Sequence, residues 1–219
     1  MVTDYRKITH ALLYLVQNTQ KNRFLHKLKA LKLFFLADRF HMRKYGTTIS
    51  GDRYIAMEHG PVGSQTRDIL QMVPQYYGEK LADYAKDHIK IQGTHYFTAR
   101  KECDRAFLSD TEVEALDFAI AEFGRLRWQE LCRVTHMFPE WYKHRIEAVS
   151  GRTVPDMNLE DFFTNPSEDD EIRNAELVEL KRKYGKLVSQ YLTFDTEYAK
   201  NLFQRRKLRS NLWGGDGDN

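Results

Sequence analysis

The stretch from about Phe24 to Tyr45 constrains this chain most. Phe24, Leu28, Leu31 and Phe35 recur at the spacing of one buried helix face. Gly46 then stands where a helix closes on a left-handed residue, a conformation glycine adopts at little cost. The pattern therefore predicts a long helix over about Phe24–Tyr45 with its end fixed by Gly46. A second helical pattern precedes it, with Ile8, Ala11, Leu12 and Leu15 on one face of Tyr5–Gln17, and the polar run Asn18–Asn22 separates the two.

Downstream the signals alternate. Arg53–Glu58 is short, aromatic and alternating, as a strand is, and His59, Gly60, Pro61 and Val62 punctuate it. Ser64 is placed to cap a short helix running through Met72, before the irregular stretch around Pro74 and Gly78. Asp87–Gln92 and His95–Arg100 flank Gly93 and Thr94, the pattern of a hairpin with a two-residue type II′ loop. Ser109 and Glu112 make a capping box for a helix carrying Val113, Leu116, Ile120 and Phe123 and ending at Gly124. A short helix over Trp128–His136 follows, then one opened by Pro139 that carries Trp141 and Ile146. Ser150–Glu171 reads as loop with a single helical turn at Leu159–Phe163. The acidic run Glu168–Glu171 leads into a helix reaching about Tyr191, with Leu177, Leu180, Tyr184, Leu187 and Tyr191 on its apolar face.

The expected fold class is α+β and predominantly α-helical. It comprises a compact helical domain over residues 1–166, with a small antiparallel β element (a strand at about 53–58 and a hairpin at about 87–100). A helical extension over 167–213 and a disordered tail at 214–219 complete it.

Composition narrows the function classes. With 219 residues, 42% hydrophobic and 30% charged, the chain is that of a globular protein. The 34 Lys and Arg against 31 Asp and Glu leave a net charge of only +3, so a basic surface can arise only by clustering. No apolar run approaches the ~20 residues a membrane span needs, and Met1–Gln17 lacks a cleavage-site pattern. Cys103 and Cys132 have no metal or redox spacing and read as buried thiols of a reducing compartment. A soluble cytoplasmic protein without cofactor is expected.

P-loop, dinucleotide, zinc-protease, nucleophile-elbow and calcium-loop signatures are all missing from the sequence. Asp38, His41, Asp52 and His59 are the best candidates for chemistry. Carboxylate and imidazole are the usual metal ligands and proton carriers, so a metal-dependent hydrolase or nuclease is one reading. In the other, Asp38 and His41 lie at the core boundary and are satisfied by the turn that follows, because an unpaired buried polar group costs ~1–3 kcal/mol. A nucleic-acid-binding regulator would use Lys27, Lys29, Lys32, Arg39, Arg43 and Lys44, or Lys181–Lys183 with the Arg205–Arg209 cluster; a solvated helix face explains such charge more simply. Tyr76 and Tyr77 beside Gly78, with Trp128 and Trp141, are candidate interface anchors or stacking platforms, core packing being the plainer role for the tryptophans.

The run LHKLKALKLFFLADRFHMRKYGTTISGDRYIAMEHGPVGS, Leu25–Ser64, resembles the signature of the SocA-like Panacea antitoxin domain. Asp38, Tyr45, Gly46, Gly51, Asp52, Tyr54, Ala56, Met57, Gly60, Pro61 and Val62 stand where that pattern wants them. A second block, LCRVTHMFPEWYK, supplies Thr135, His136, Pro139 and Trp141. The resemblance implies a non-enzymatic antitoxin of a bacterial or phage toxin–antitoxin pair. Its partner would be a cognate toxin protein, with delivery to a protease as a variant route and nucleic acid and membrane disfavoured. The motif residues would be scaffold. Because the chain starts on the domain's own first helix, autoregulation through a preceding DNA-binding module is not expected. Partner contacts are expected at Tyr76 and Tyr77 or on the helices after Pro166, through Tyr184 and Tyr191.

Overall fold

The computed structural model describes residues 3–19, 24–72, 79–151, 153–165, 178–179, 182–185 and 195–213. It is predominantly helical with a small antiparallel β element. In chain order the elements are α1 (Tyr5–Thr19), β1 (Phe24–His26), α2 (Lys27–Tyr45), β2 (Tyr54–Met57), β3 (Gly60–Gly63), α3 (Ser64–Gln71), α4 (Glu79–His88), β4 (Ile89–Gln92) and β5 (Tyr96–Ala99). These are followed by α5 (Asp110–Phe123), α6 (Trp128–His136), α7 (Pro139–Tyr142), α8 (Arg145–Ser150) and α9 (Glu197–Trp213).

Helix α2 is the axis. It is buried on every side from Lys29 to Arg43, as expected of a helix surrounded by other elements and not lying on a surface. Helices α1, α5 and α6, strand β3 and α9 pack around it. Gly46 closes it in the left-handed conformation at φ +70°, its amide bonded to the Met42 carbonyl. Helix α5 opens with the reciprocal capping box of Ser109 and Glu112. It is tied to α1 by Lys7 Nζ on Glu112 at 2.7 Å and by the Tyr14 hydroxyl on Asp117 at 2.6 Å.

Several local expectations need correction. Phe24 is not on the helix but 42% exposed on β1, which pairs with β5 (Phe24 with Thr98, His26 with Tyr96). The helix cannot extend back because His26 is its N-cap, with Nδ1 accepting from the Leu28 amide at 3.2 Å. The punctuation after Glu58 is a strand: β3 pairs with β2 in a second, two-stranded sheet, and Gly60 carries the turn at φ +100°. The hairpin of β4 and β5 pairs Gln92 with Tyr96, so its loop has the three residues Gly93–His95 and not two. This hairpin and β1 form a sheet in the order β1-β5-β4.

Ser64 is the first residue of α3 and not its cap; Gly63 holds that position without a side chain, and Asp52 supplies the missing acceptors. The helix expected after Pro139 is two short ones, α7 and α8, and Ile146 is 72% exposed on the second. The turn at Leu159–Phe163 is present as a 3-10 helix that buries Phe162 and Phe163. Tyr76, Tyr77, Gly78, Tyr191 and the tail from Gly214 lie outside the described residues, as does most of the helix expected to reach Tyr191.

Candidate functional site

Asp38 and His41, two of the residues with chemical potential in the sequence, are joined to the backbone of the turn that follows α2. Asp38 is fully buried. Its carboxylate accepts from the Ile49 amide at 2.6 Å, the Ser50 amide at 3.2 Å, the Tyr54 hydroxyl at 2.8 Å and the Ser50 hydroxyl. Burial pushes its carboxyl up to about 6 against the opposing pull of those bonds. His41, one turn along, bonds through Nδ1 to the Thr47 carbonyl at 2.7 Å and through Nε2 to the Thr111 hydroxyl at 3.1 Å. Burial lowers its basicity.

Asp52 does for α3 what a local cap would do. Its carboxylate accepts from the Gln65 amide at 3.0 Å, the Thr66 amide at 2.8 Å and the Thr66 hydroxyl at 2.8 Å. A Cβ on Gly63 would meet Asp52 Oδ2 at 2.5 Å, so glycine is required for the carboxylate to reach the helix end. Gly51, at φ +61°, turns the chain into this position. His59 is exposed in the turn between β2 and β3. Asp38, His41, Asp52 and His59 are not brought together as ligands: among the described residues no group of three or more His, Cys, Asp or Glu is arranged to hold a metal ion.

The remaining signature residues bind the β2–β3 hairpin to the helices. Trp141 Nε1 donates to the Met57 carbonyl at 2.9 Å, and the His136 ring lies parallel on Trp141 with centroids 3.6 Å apart. Lys32, fully buried, donates to the Pro61 carbonyl at 2.8 Å. A Cβ at Gly60 would sit 2.7 Å from Thr135 Oγ1 and 3.2 Å from Lys32 Nζ, so the hairpin approaches α2 and α6 only through glycine. Burial holds the Lys32 amine down at about 8. Burial, Lys32 and His59 hold the His136 imidazole at about 3, so it is neutral at physiological pH. Tyr45 bonds Glu114 through its hydroxyl, and Gly46 packs so tightly under α9 that a Cβ there would run into the Ala199 carbonyl.

The basic residues of α2 form no solvated or nucleic-acid-facing stripe. Arg39 is fully buried in an ion pair with Glu140, 2.7 Å from Nε to Oε1, and lies over the Phe138 ring at 4.1 Å. Arg43 donates to the Phe162 carbonyl and to Asn165, both at 2.9 Å. Lys29 bonds the Gly124 carbonyl at 2.6 Å. These side chains close loops onto the central helix instead of offering charge to a ligand.

Two surface features emerge from the packing, and only the second carries a signal in the sequence as a unit. On the first, Trp128, His26 and His95 stack in series, with centroid separations of 5.3 and 5.7 Å and interplanar angles of 13° and 3°. Trp128 is a stacking candidate in the sequence, but nothing there ties it to His26 and His95; the β1–β5 pairing brings the two histidines together and α6 adds Trp128. The second is α9, which packs across the end of α2 and carries five basic residues against Glu197 as its single acid. The sequence signal for it was the Arg205–Arg209 cluster. Tyr184 is buried, with its hydroxyl 3.3 Å from Glu130 Oε1.

No helix among the described residues is long and apolar enough to cross a membrane. Comparison with known proteins finds no match among curated proteins and none among solved structures. The family model described as "Antitoxin SocA-like, Panacea domain" matches residues 31–142, just over half of the 219-residue chain. That span runs from α2 to the end of α7, so it holds the signature turn, both hairpins and the Trp141 anchor, and the chain belongs to the SocA-like Panacea-domain antitoxin family.

Proposed function

We propose that this protein is the antitoxin of a bacterial or phage toxin–antitoxin pair and neutralises a cognate toxin by direct protein contact. The observation that carries the reading is the coincidence of the family match over 31–142 with a signature whose polar residues are already consumed internally. Asp38 and Asp52 spend their oxygens on backbone amides and hydroxyls, which leaves them as scaffold and not as ligands or proton carriers. The reading takes residues 1–166 as the antitoxin domain, 167–213 as a helical extension that carries specificity, and the protein as cytoplasmic, non-enzymatic and without cofactor. Steric blockade is the proposed mode; transfer of the toxin to a protease is the variant in which the same contact serves as an adaptor.

Co-expression tests it. The neighbouring reading frame, induced alone, arrests growth, and induced with this chain it does not. A toxic neighbour that this chain fails to neutralise would remove the proposal.

A further inference from the structure

We propose that the outward face of α9 is the surface that engages the toxin, and that it fits a partner patch with acidic residues beside an apolar contact. This rests on the antitoxin reading. The helix is held as a rigid platform. Ala199 and Phe203 are buried beneath it, and Phe203 packs 6.0 Å from Phe163 between ring centroids. Arg206 reaches back to the Gly46 carbonyl at 3.3 Å, and Lys207 pairs with Glu160 at 2.8 Å. Gly46 lets the two backbones touch, so the helix does not have to be ordered when a partner arrives.

What faces outward is therefore preorganised and chemically specific. Tyr198 is 72% and Leu208 63% exposed, among the most exposed large apolar side chains of the described residues. At 3.6 residues per turn, Tyr198, Arg205 and Arg209 fall within about 40° of one another, with Leu208 alongside. Arg205 and Arg209 are exposed, while Arg206 and Lys207 are committed to Gly46 and Glu160. Two outward guanidiniums with a leucine alongside suit carboxylates next to an apolar contact. They are too few for a nucleic-acid site of the usual ~6–10 phosphate contacts, and the leucine gains nothing from phosphate. Arginine and tyrosine are also the side chains that most often anchor protein interfaces.

The test uses the full chain and the purified product of the adjacent reading frame. Affinity is measured by calorimetry for wild type, for Arg205→Glu with Arg209→Glu, for Leu208→Ala, and for Lys90→Glu with Lys101→Glu as a charge-matched control away from α9. Thermal melts confirm that each variant is folded. The proposal expects the α9 double variant to bind about tenfold more weakly or worse and to lose growth rescue. It also expects a weaker loss for Leu208→Ala, wild-type behaviour from the control, and wild-type affinity that falls with added salt. Wild type that rescues and binds while the α9 variants bind equally well overturns this surface and leaves the antitoxin reading intact. Wild type that neither binds nor rescues overturns both. Salt-sensitive binding of a duplex DNA or RNA probe that only the α9 double variant loses, with toxin affinity unchanged, overturns it in favour of nucleic acid.

Discussion

Replacing Asp38 by alanine removes the acceptor for two buried backbone amides, those of Ile49 and Ser50, and for the hydroxyls of Ser50 and Tyr54. The hydroxyls can rotate toward other partners, but the amides cannot. Each orphaned buried donor costs ~1–3 kcal/mol, so Asp38→Ala should destabilise the fold by about 4 kcal/mol. In a chain of this size, at ~2–4 °C per kcal/mol, the melting temperature should drop by roughly 8–16 °C. Asp38→Asn keeps one acceptor oxygen for the amides and offers an NH2 that the hydroxyls can accept from, so it should cost only about 1 kcal/mol. Urea denaturation followed by far-UV circular dichroism reads both. A scaffold carboxylate gives this ordering with toxin neutralisation retained by the folded Asn variant. Equal stability of wild type, Asn and Ala, with neutralisation lost in both variants, would refute the argument, because it would place Asp38 at a working site instead of under a turn.

Further tests address the other buried polar contacts. Gly46→Ala forces a left-handed non-glycine residue and drives a methyl into the Ala199 carbonyl; hydrogen exchange should show α9 losing protection while α5 keeps it. Arg39→Ala leaves the Glu140 carboxyl buried without its partner, and should cost ~3–5 kcal/mol by chemical denaturation. The Lys32 amine is held at about 8 against an ordinary value of 10.5. The unfolded chain then keeps that proton over pH 8–10.5 where the folded chain has lost it. Wild type should therefore gain stability relative to Lys32→Met as pH rises through this window, by about 3 kcal/mol in all. A flat difference between the two proteins across that range would contradict the burial argument.

What the sequence made legible was local. The Ser109 capping box, the Gly46 helix end and the partnering of Asp38 by the turn after α2 all involve residues within a dozen positions of one another. Periodicity and turn chemistry report such contacts directly. The fate of the charges on α2 was not legible, because their partners are distant in sequence: Pro61 for Lys32, Glu140 for Arg39 and Phe162 for Arg43 are 29, 101 and 119 residues away. Phe24 was misplaced for the same reason. Its spacing suits the helix, but pairing with Thr98 and the cap made by His26 decide otherwise. The hairpin strand Gly60–Gly63 carries two glycines and a proline, so propensity argued against it; burial against α2 and α6 overrode that.

The central claim is a direct complex between this chain and a toxic partner. Mixing the purified chain with the purified product of the neighbouring reading frame, and following size-exclusion chromatography with light scattering, tests it most directly. The account predicts a single co-eluting species with the summed mass of a fixed stoichiometry, and loss of the toxin's activity in the same fractions. Separate elution of the two chains, alongside growth rescue in cells, would contradict neutralisation by protein contact.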